Sequence, residues 1–218
     1  MLANPQSYYL INQLAEAELL AALKTEGDDY AAFITRRENE TIQHLQDLRG
    51  KKIAFVNESS ASGYLYPKGT LVKSLKLDPE LIEESGYFFK RVLFSESETN
   101  SVIGLISGDV DVIAIGIKEL EKLIEVGLIL PQDIKIIATT PDIPKAAFIV
   151  RKDLPEDFKD ALREAFISFE NEHYFATVHQ DPYARFDYTT PNYYDPAIDL
   201  LGVIHALESA INDKLLSE

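Results

Sequence analysis

The chain has 218 residues, 46% of them apolar, which suits one large domain or two small lobes around a real hydrophobic core rather than a disordered polypeptide. Its 36 acidic against 21 basic residues leave a net charge of −15, which repels phosphate backbones and anionic lipid and argues against nucleic acid as a partner. The absence of cysteine removes disulfides, thiolate metal sites and cysteine nucleophiles together.

In chain order, "MLANPQSYYLINQLAEAE" has no basic leading region and only a short apolar patch, so it does not read as a signal peptide. Either the protein is cytoplasmic or a leader lies outside this sequence. No uncharged run approaches the ~18 residues needed to span a bilayer. Residues 10–24, "LINQLAEAELLAALK", carry Leu10, Leu14, Leu19 and Leu23 at helical spacing and predict a helix. "DYAAFITRR" (29–37) predicts a strand, and "TIQHLQDLRG" a turn or helix stop at Gly50. A regular rhythm follows. Strands are predicted at 52–56, 90–94, 110–115 and 133–140, with helices between them that stop at Gly108 and Gly127. Alternating helices and continuously apolar strands predict an α/β fold whose sheets are mainly parallel.

"TTPDIPKAAFIVRKDLP" breaks the rhythm with two prolines, and its "AAFIVRK" echoes "YAAFITRR". Two such strands flanking the βα block are read either as the crossing segments of a two-lobed hinge protein or as ordinary members of one sheet. "PEDFKDALREAFISFENE" and "PAIDLLGVIHALESAINDKLL" predict amphipathic helices, with the Tyr- and Pro-rich "YARFDYTTPNYYDP" as a loop between them.

The chemistry concentrates in "FVNESSASGYLYP" (55–67). The first backbone N–H groups of a helix lack internal partners, and small residues let an anion approach them. Ser60, Ala61, Ser62 and Gly63 fit that use, although on these residues alone simple helix N-capping by Ser60 or Ser62 is the commoner reading. "GDVDV" sets Asp109 and Asp111 two apart; Asp109 reads as a solvated turn, whereas a carboxylate within a strand, as at Asp111, needs a partner. Tyr8 and Tyr9 stand beside a proline turn, where one phenol serves a ligand or both serve packing. Histidines 44, 173, 179 and 205 have no zinc-binding spacing, and no Walker loop, GxGxxG or GxSxG is present.

Taken together and in order, "DLRGKKIAFVNESSASGYLYP", "FSESETNSVIGLISGDVDVIAI" and "IIATTPDIPKAAFIVRKDLPEDFK" resemble the phosphonate/phosphite/phosphate substrate-binding proteins of ABC transporters, of PhnD type and type II periplasmic-binding fold. "NPQSYYLINQ" resembles that family's Gly-Pro-x-x-Tyr segment and "YTTPNYYDPAIDLL" its Tyr-Asp-Pro segment. The resemblance runs over nearly the whole chain. It implies a two-lobed protein that is not an enzyme, takes no cofactor and hands its ligand to a membrane permease outside the cytoplasm. The family's Ser-Thr-Ser-Gly anion cradle falls on Ser60, Ala61, Ser62 and Gly63, with alanine in place of threonine. Its tyrosine falls on Tyr8 and its strand aspartate on Asp111. A Ser-His-Glu segment is replaced by "SET", which puts Glu98 and Thr99 where the non-phosphorus end of the ligand is expected.

The resemblance also implies two further βα units ahead of the segment that holds Tyr8, some 60 or more residues. Lobe one is then expected from residues 1–42 and 145–218, incomplete and partly uncovered, with lobe two from 43–144. A second copy, a separate fragment or another partner chain would cover lobe one. Other readings are a ligand-sensing receptor domain, a shortened chain that acts through oligomerisation, and an enzyme using Ser60 or Ser62 as nucleophile. The last lacks a general base at a recognisable position.

Overall fold

The computed structural model describes residues 1–27 and 29–204. The chain divides into two compact units, Met1–Asp28 with Pro144–Gly202, and Asp29–Ile143. The change of unit expected after residue 42 comes earlier. β3 (Ala31–Arg36) is hydrogen-bonded between β6 (Val112–Gly116) and β7 (Ile134–Thr139), which draws residues 29–42 into the second unit.

The first unit is built on a four-stranded sheet in the order β1 (Leu2–Ala3), β8 (Ala147–Arg151), β2 (Ala17–Lys24), β9 (Arg185–Tyr188). Every pairing in it is antiparallel. Helix α1 (Pro5–Ala15) links β1 to β2. Asn4 caps it by accepting from Ser7 N–H at 2.8 Å, and Pro5 stands at its first position, where a missing N–H costs nothing. The helix expected over 10–24 therefore stops at Ala15. Glu16 leaves the helix at φ 39°, the Ala17 N–H goes to Asn12 Oδ1 at 2.9 Å, and the rest of the segment is β2. An irregularity between Leu19 and Ala21 shifts the side-chain alternation. Ala17, Leu19 and Ala22 then face one cluster with Ala147, Ile149 and Tyr194, and Leu20 faces the other with Phe175 and Phe186. The resulting uneven spacing imitates a helical period in the sequence.

Helices α5 (Glu156–Ile167) and α6 (Glu172–Val178) supply Leu162, Phe166 and Phe175 to the second of these clusters. The segment expected as a loop, 183–196, instead contains β9 and the start of α7 (Asp195–Gly202). The expected C-terminal helix beyond residue 204, including His205, lies outside the described residues. On this unit Leu14, Phe158 and Val178 are exposed.

The second unit carries a five-stranded sheet in the order β5 (Arg91–Phe94), β4 (Lys52–Phe55), β6, β3, β7. β4 is parallel to both β5 and β6, as the alternation of strands and helices requires. β3 runs against both its neighbours, so this sheet is mixed rather than purely parallel. Across the molecule the expectation of mainly parallel sheets thus holds for the block β4–β6 alone; elsewhere the strands joined by helices (β1 and β2, β8 and β9, β6 and β7) also run the same way, but an antiparallel strand lies between each pair. The similar strands β3 and β8 lie in different sheets. One face of the second sheet packs Ile34, Ile113 and Ile115 against Val102 and Leu105 of α3 (Glu98–Ser107) and Leu120 of α4 (Ile117–Glu125). Gly108 ends α3 in the left-handed region at φ 81°, a conformation open to glycine without steric cost.

Candidate functional site

In a sheet of this kind the groups free to meet a ligand collect outside the carboxyl ends of the parallel strands. In the second unit three helices start there. A π-helical turn, Ala61–Leu65, follows β4 and runs into α2 (Tyr66–Leu75); α3 follows β5; α4 follows β6.

The turn after β4 is built step by step. Asn57 Oδ1 accepts from Ser59 N–H at 3.1 Å and from Ser59 Oγ at 2.8 Å, and Asn57 O accepts from Ser60 N–H at 3.1 Å. Ser60 then caps the helix. Its Oγ accepts from Gly63 N–H at 3.0 Å, and its carbonyl accepts from Tyr64 and Leu65 N–H at 3.1 and 2.9 Å. The N–H groups of Ala61 and Ser62, at the very start of the helix, have no intrahelical acceptor within reach. A serine oxygen both accepts and donates, so the Ser60 cap leaves its O–H proton available. Ala61 is exposed, Ser62 partly exposed and Gly63 buried.

Gly63 is where the turn touches the strand. A Cβ there would stand 2.4 Å from Val56 Cγ2 and 2.8 Å from Ser60 Oγ, and Val56 N–H donates to Gly63 O at 3.1 Å. Only glycine lets the helix start lie this close to the end of β4. The adjoining chain is tied in as well: Ser95 and Glu96 N–H donate to Phe55 O and Val56 O, both at 2.9 Å. Ser95 Oγ lies 2.7 Å from Ser101 Oγ and 3.1 Å from Phe55 O, so the start of α3 is held to the same strand end.

Glu98 and Thr99 occupy the first turn of α3, behind the cap Ser97, with Glu98 partly exposed and Thr99 exposed. They lie on the same carboxyl edge of the sheet as Ser60, Ala61, Ser62 and Gly63. Asp111 does not. It precedes β6, and its Oδ2 accepts the Lys52 N–H that opens β4, at 2.8 Å. Its own N–H donates to Lys52 O at 2.9 Å and its carbonyl accepts from Thr35 Oγ1 at 2.8 Å. The four residues of β4, at ~3.3 Å each, separate it from the turn at Ser60–Gly63. The carboxylate just ahead of β6 thus has its partner at the edge of the ladder.

Tyr8 belongs to α1 in the first unit. Its ring lies 5.4 Å from that of Tyr194, on the apolar cluster of Ala3, Leu19 and Ile149. Burial first, then the charges of Asp195 and Glu18, raise its ionisation above the ordinary phenol value. Tyr194 of the Tyr-Asp-Pro segment donates to Ala3 O at 2.6 Å and Lys145 O at 3.0 Å, a structural role.

Residue reading missed two features. Gly116, which ends β6, comes against Ser62: a Cβ there would stand 2.9 Å from Ser62 Oγ. Its signal was a glycine between a strand and a helix. Tyr64, in the π-helical turn Ala61–Leu65, donates to Glu83, which also accepts from Lys68 Nζ at 2.7 Å. That contact joins residues far apart in sequence and has no local signature. Among the described residues no three His, Asp or Glu gather as a metal site, and no helix is long and apolar enough to cross a membrane.

A family model described as "ABC transporter, phosphonate, periplasmic substrate-binding protein" matches residues 1–193. The phosphate-import protein PhnD of Mycolicibacterium smegmatis is 26% identical over 167 residues, 74% of this chain and 51% of that protein. The chain thus spans about half the length of this curated relative. Among solved structures, XAC2383 from Xanthomonas citri bound to ATP superposes with a TM-score of 0.68 at 20% identity, covering 94% of this chain and 77% of the other. PhnD1 from Prochlorococcus marinus in complex with methylphosphonate gives 0.60 at 16% identity, over 91% and 75%. A binding-protein component of an ABC phosphonate transporter from Pseudomonas aeruginosa (PA3383) gives 0.61 at 19%, over 99% and 79%. These establish a type II periplasmic-binding fold with mixed sheets. On the family match across residues 1–193, the chain belongs to the phosphonate periplasmic substrate-binding proteins of ABC transporters.

Proposed function

We propose that this chain captures a small phosphorus oxyanion, a phosphonate, phosphite or phosphate, and presents it to an ABC permease outside the cytoplasmic membrane. The observation that carries this reading is the open first turn at Ser60, Ala61, Ser62 and Gly63. The N–H groups of Ala61 and Ser62, the hydroxyls of Ser60 and Ser62, and the positive end of the helix dipole all serve an anion there. This answers how so acidic a chain holds an anion: local donors set affinity, while net charge acts on the rate of capture. Ala61 in place of the family's threonine removes one hydroxyl but keeps the N–H.

Glu98 is proposed to receive an ammonium group where the ligand carries one, with Thr99 as a hydroxyl partner, and Tyr8 to donate its phenol to the bound ligand. Asp111 is left out of the proposed contacts, since its carboxylate is engaged at the start of β4.

The test is thermal unfolding of the chain with millimolar phosphate, phosphite, methylphosphonate, 2-aminoethylphosphonate or sulfate. A ligand bound only by the folded state raises the melting temperature, by about 2.7 kcal/mol of stability at a hundred times its Kd. A rise with one or two phosphorus anions and none with sulfate is the expected outcome. The double variant Ser60→Ala/Ser62→Ala should abolish that rise; an undiminished rise in the variant sinks the cradle assignment.

A further inference from the structure

We infer that Gly116 is a positioning residue of the oxyanion cradle: by lacking a Cβ it lets the Ser62 hydroxyl stand where an anion meets it. This rests on the reading of Ser60–Gly63 as the anion site.

The glycine is not there for its backbone. At φ −64° and ψ 137° residue 116 occupies a region open to any amino acid. What excludes a side chain is space. A Cβ at 116 would lie 2.9 Å from Ser62 Oγ and 3.1 Å from Ser62 Cβ, the two nearest atoms around it.

Of the two sides of this contact, one is fixed and the other turns. Gly116 is paired with Ala31 in the β3–β6 ladder, and the next residue, Ile117, donates its N–H to Tyr30 O at 2.9 Å. The backbone at 116 is therefore held from both directions along the strand. Ser62 is partly exposed in the first turn of a helix, and its hydroxyl moves by a single rotation about χ1. A methyl group added at 116 displaces the Ser62 side chain rather than the sheet. The contact also explains how β6 takes part in a site that lies in the turn after β4. The two strands are parallel neighbours, with Ile53 opposite Val112 and Ala54 opposite Ile113, so their carboxyl ends open on the same edge.

The consequence is specific. In Gly116→Ala the Ser62 hydroxyl is turned from its place, and the anion loses one charge-assisted hydrogen bond. Such a bond corresponds to roughly 10- to 100-fold in affinity. Glycine at 62 leaves nothing for the new methyl to strike, so the same change at 116 is then silent.

The experiment is a calorimetric titration of four proteins, the natural chain, Gly116→Ala, Ser62→Gly and the double variant, with phosphate, phosphite and methylphosphonate, alongside melting curves of each without anion. The expected result is a loss of about tenfold or more in Gly116→Ala, a loss in Ser62→Gly, and no further loss in the double variant relative to Ser62→Gly. If Gly116→Ala fails to fold, the double variant should fold, because the clash is gone. Natural affinity in Gly116→Ala overturns the inference. So does an equal loss from the alanine in both backgrounds, or failure of the double variant to fold. A natural chain that binds none of the three anions removes the underlying reading together with this one, and is told apart because the loss then precedes any substitution.

Discussion

Single side chains around the cradle do more than one task. Ser60 caps the helix through an oxygen lone pair, which leaves its proton free to donate, so the capping reading and the proposed anion-binding role of that residue are compatible. Tyr64 shows how a neighbour of the site is fixed from afar. Its phenol donates to Glu83, and Lys68 Nζ lies 3.0 Å from the same oxygen. Burial above all, and then the Glu83 contact, push its ionisation far above the ordinary phenol value. In the unfolded chain the phenol loses its proton near pH 10, while in the folded chain it keeps it. This group's stabilisation is therefore present below about pH 10 and is lost as pH rises from there toward the raised folded value. The urea midpoint should fall between about pH 9 and about pH 11, and should fall less in Tyr64→Phe; equal slopes in the two proteins would remove Tyr64 as the cause. None of this is legible in "GYLYPKG", because Glu83 lies nineteen positions away and reaches Tyr64 only through the fold.

Among elements, the helix start and the end of β4 form one packed joint. Gly63 has no unusual φ and is needed for closeness alone. Gly63→Ala would force Val56 and Ser60 apart, at a cost of about 1–3 kcal/mol, the usual toll of overpacking. The expected outcome is a lower melting temperature together with weaker anion binding, read by melting and titration; a variant as stable as the natural chain would show that the joint has slack. The strand–turn–helix order of this region was legible in the sequence, since apolar runs, small hydroxyl residues and glycine stops are local signals. β2 was not. Its bulge between Leu19 and Ala21 spreads the leucines to a helix-like interval, and its sheet neighbours β8 and β9 come from residues more than a hundred positions away. β9 was likewise hidden in a Tyr- and Pro-rich stretch, because an edge strand of four residues makes little pattern of its own.

For the whole molecule, the charge of −15 bears on kinetics more than on affinity. An anionic ligand approaches against the field, and salt screens that field over about 10 Å at 0.1 M. The association rate for phosphate or methylphosphonate should therefore rise as sodium chloride is added, measured by stopped-flow or relaxation methods, with the dissociation rate changing less. An association rate that falls with salt would mean a local positive field dominates capture. The division into two units follows from chain routing: residues 1–28 and 144–202 share one antiparallel sheet, and the βα block between them builds the other.

By itself the sequence determined the α/β class, the strand and helix order from residue 50 to 140, the family, and the serine-rich turn as the candidate anion cradle. Each rests on residues close together in the chain, where periodicity, caps and glycine stops act. Tertiary structure alone decided that β3 runs antiparallel inside the second sheet and that 17–24 is a strand. It also set Asp111 at the far end of β4 and brought Gly116 against Ser62. Those outcomes depend on which strands become neighbours and in which direction, and that is set by burying two faces of a sheet at once, a condition no local stretch contains.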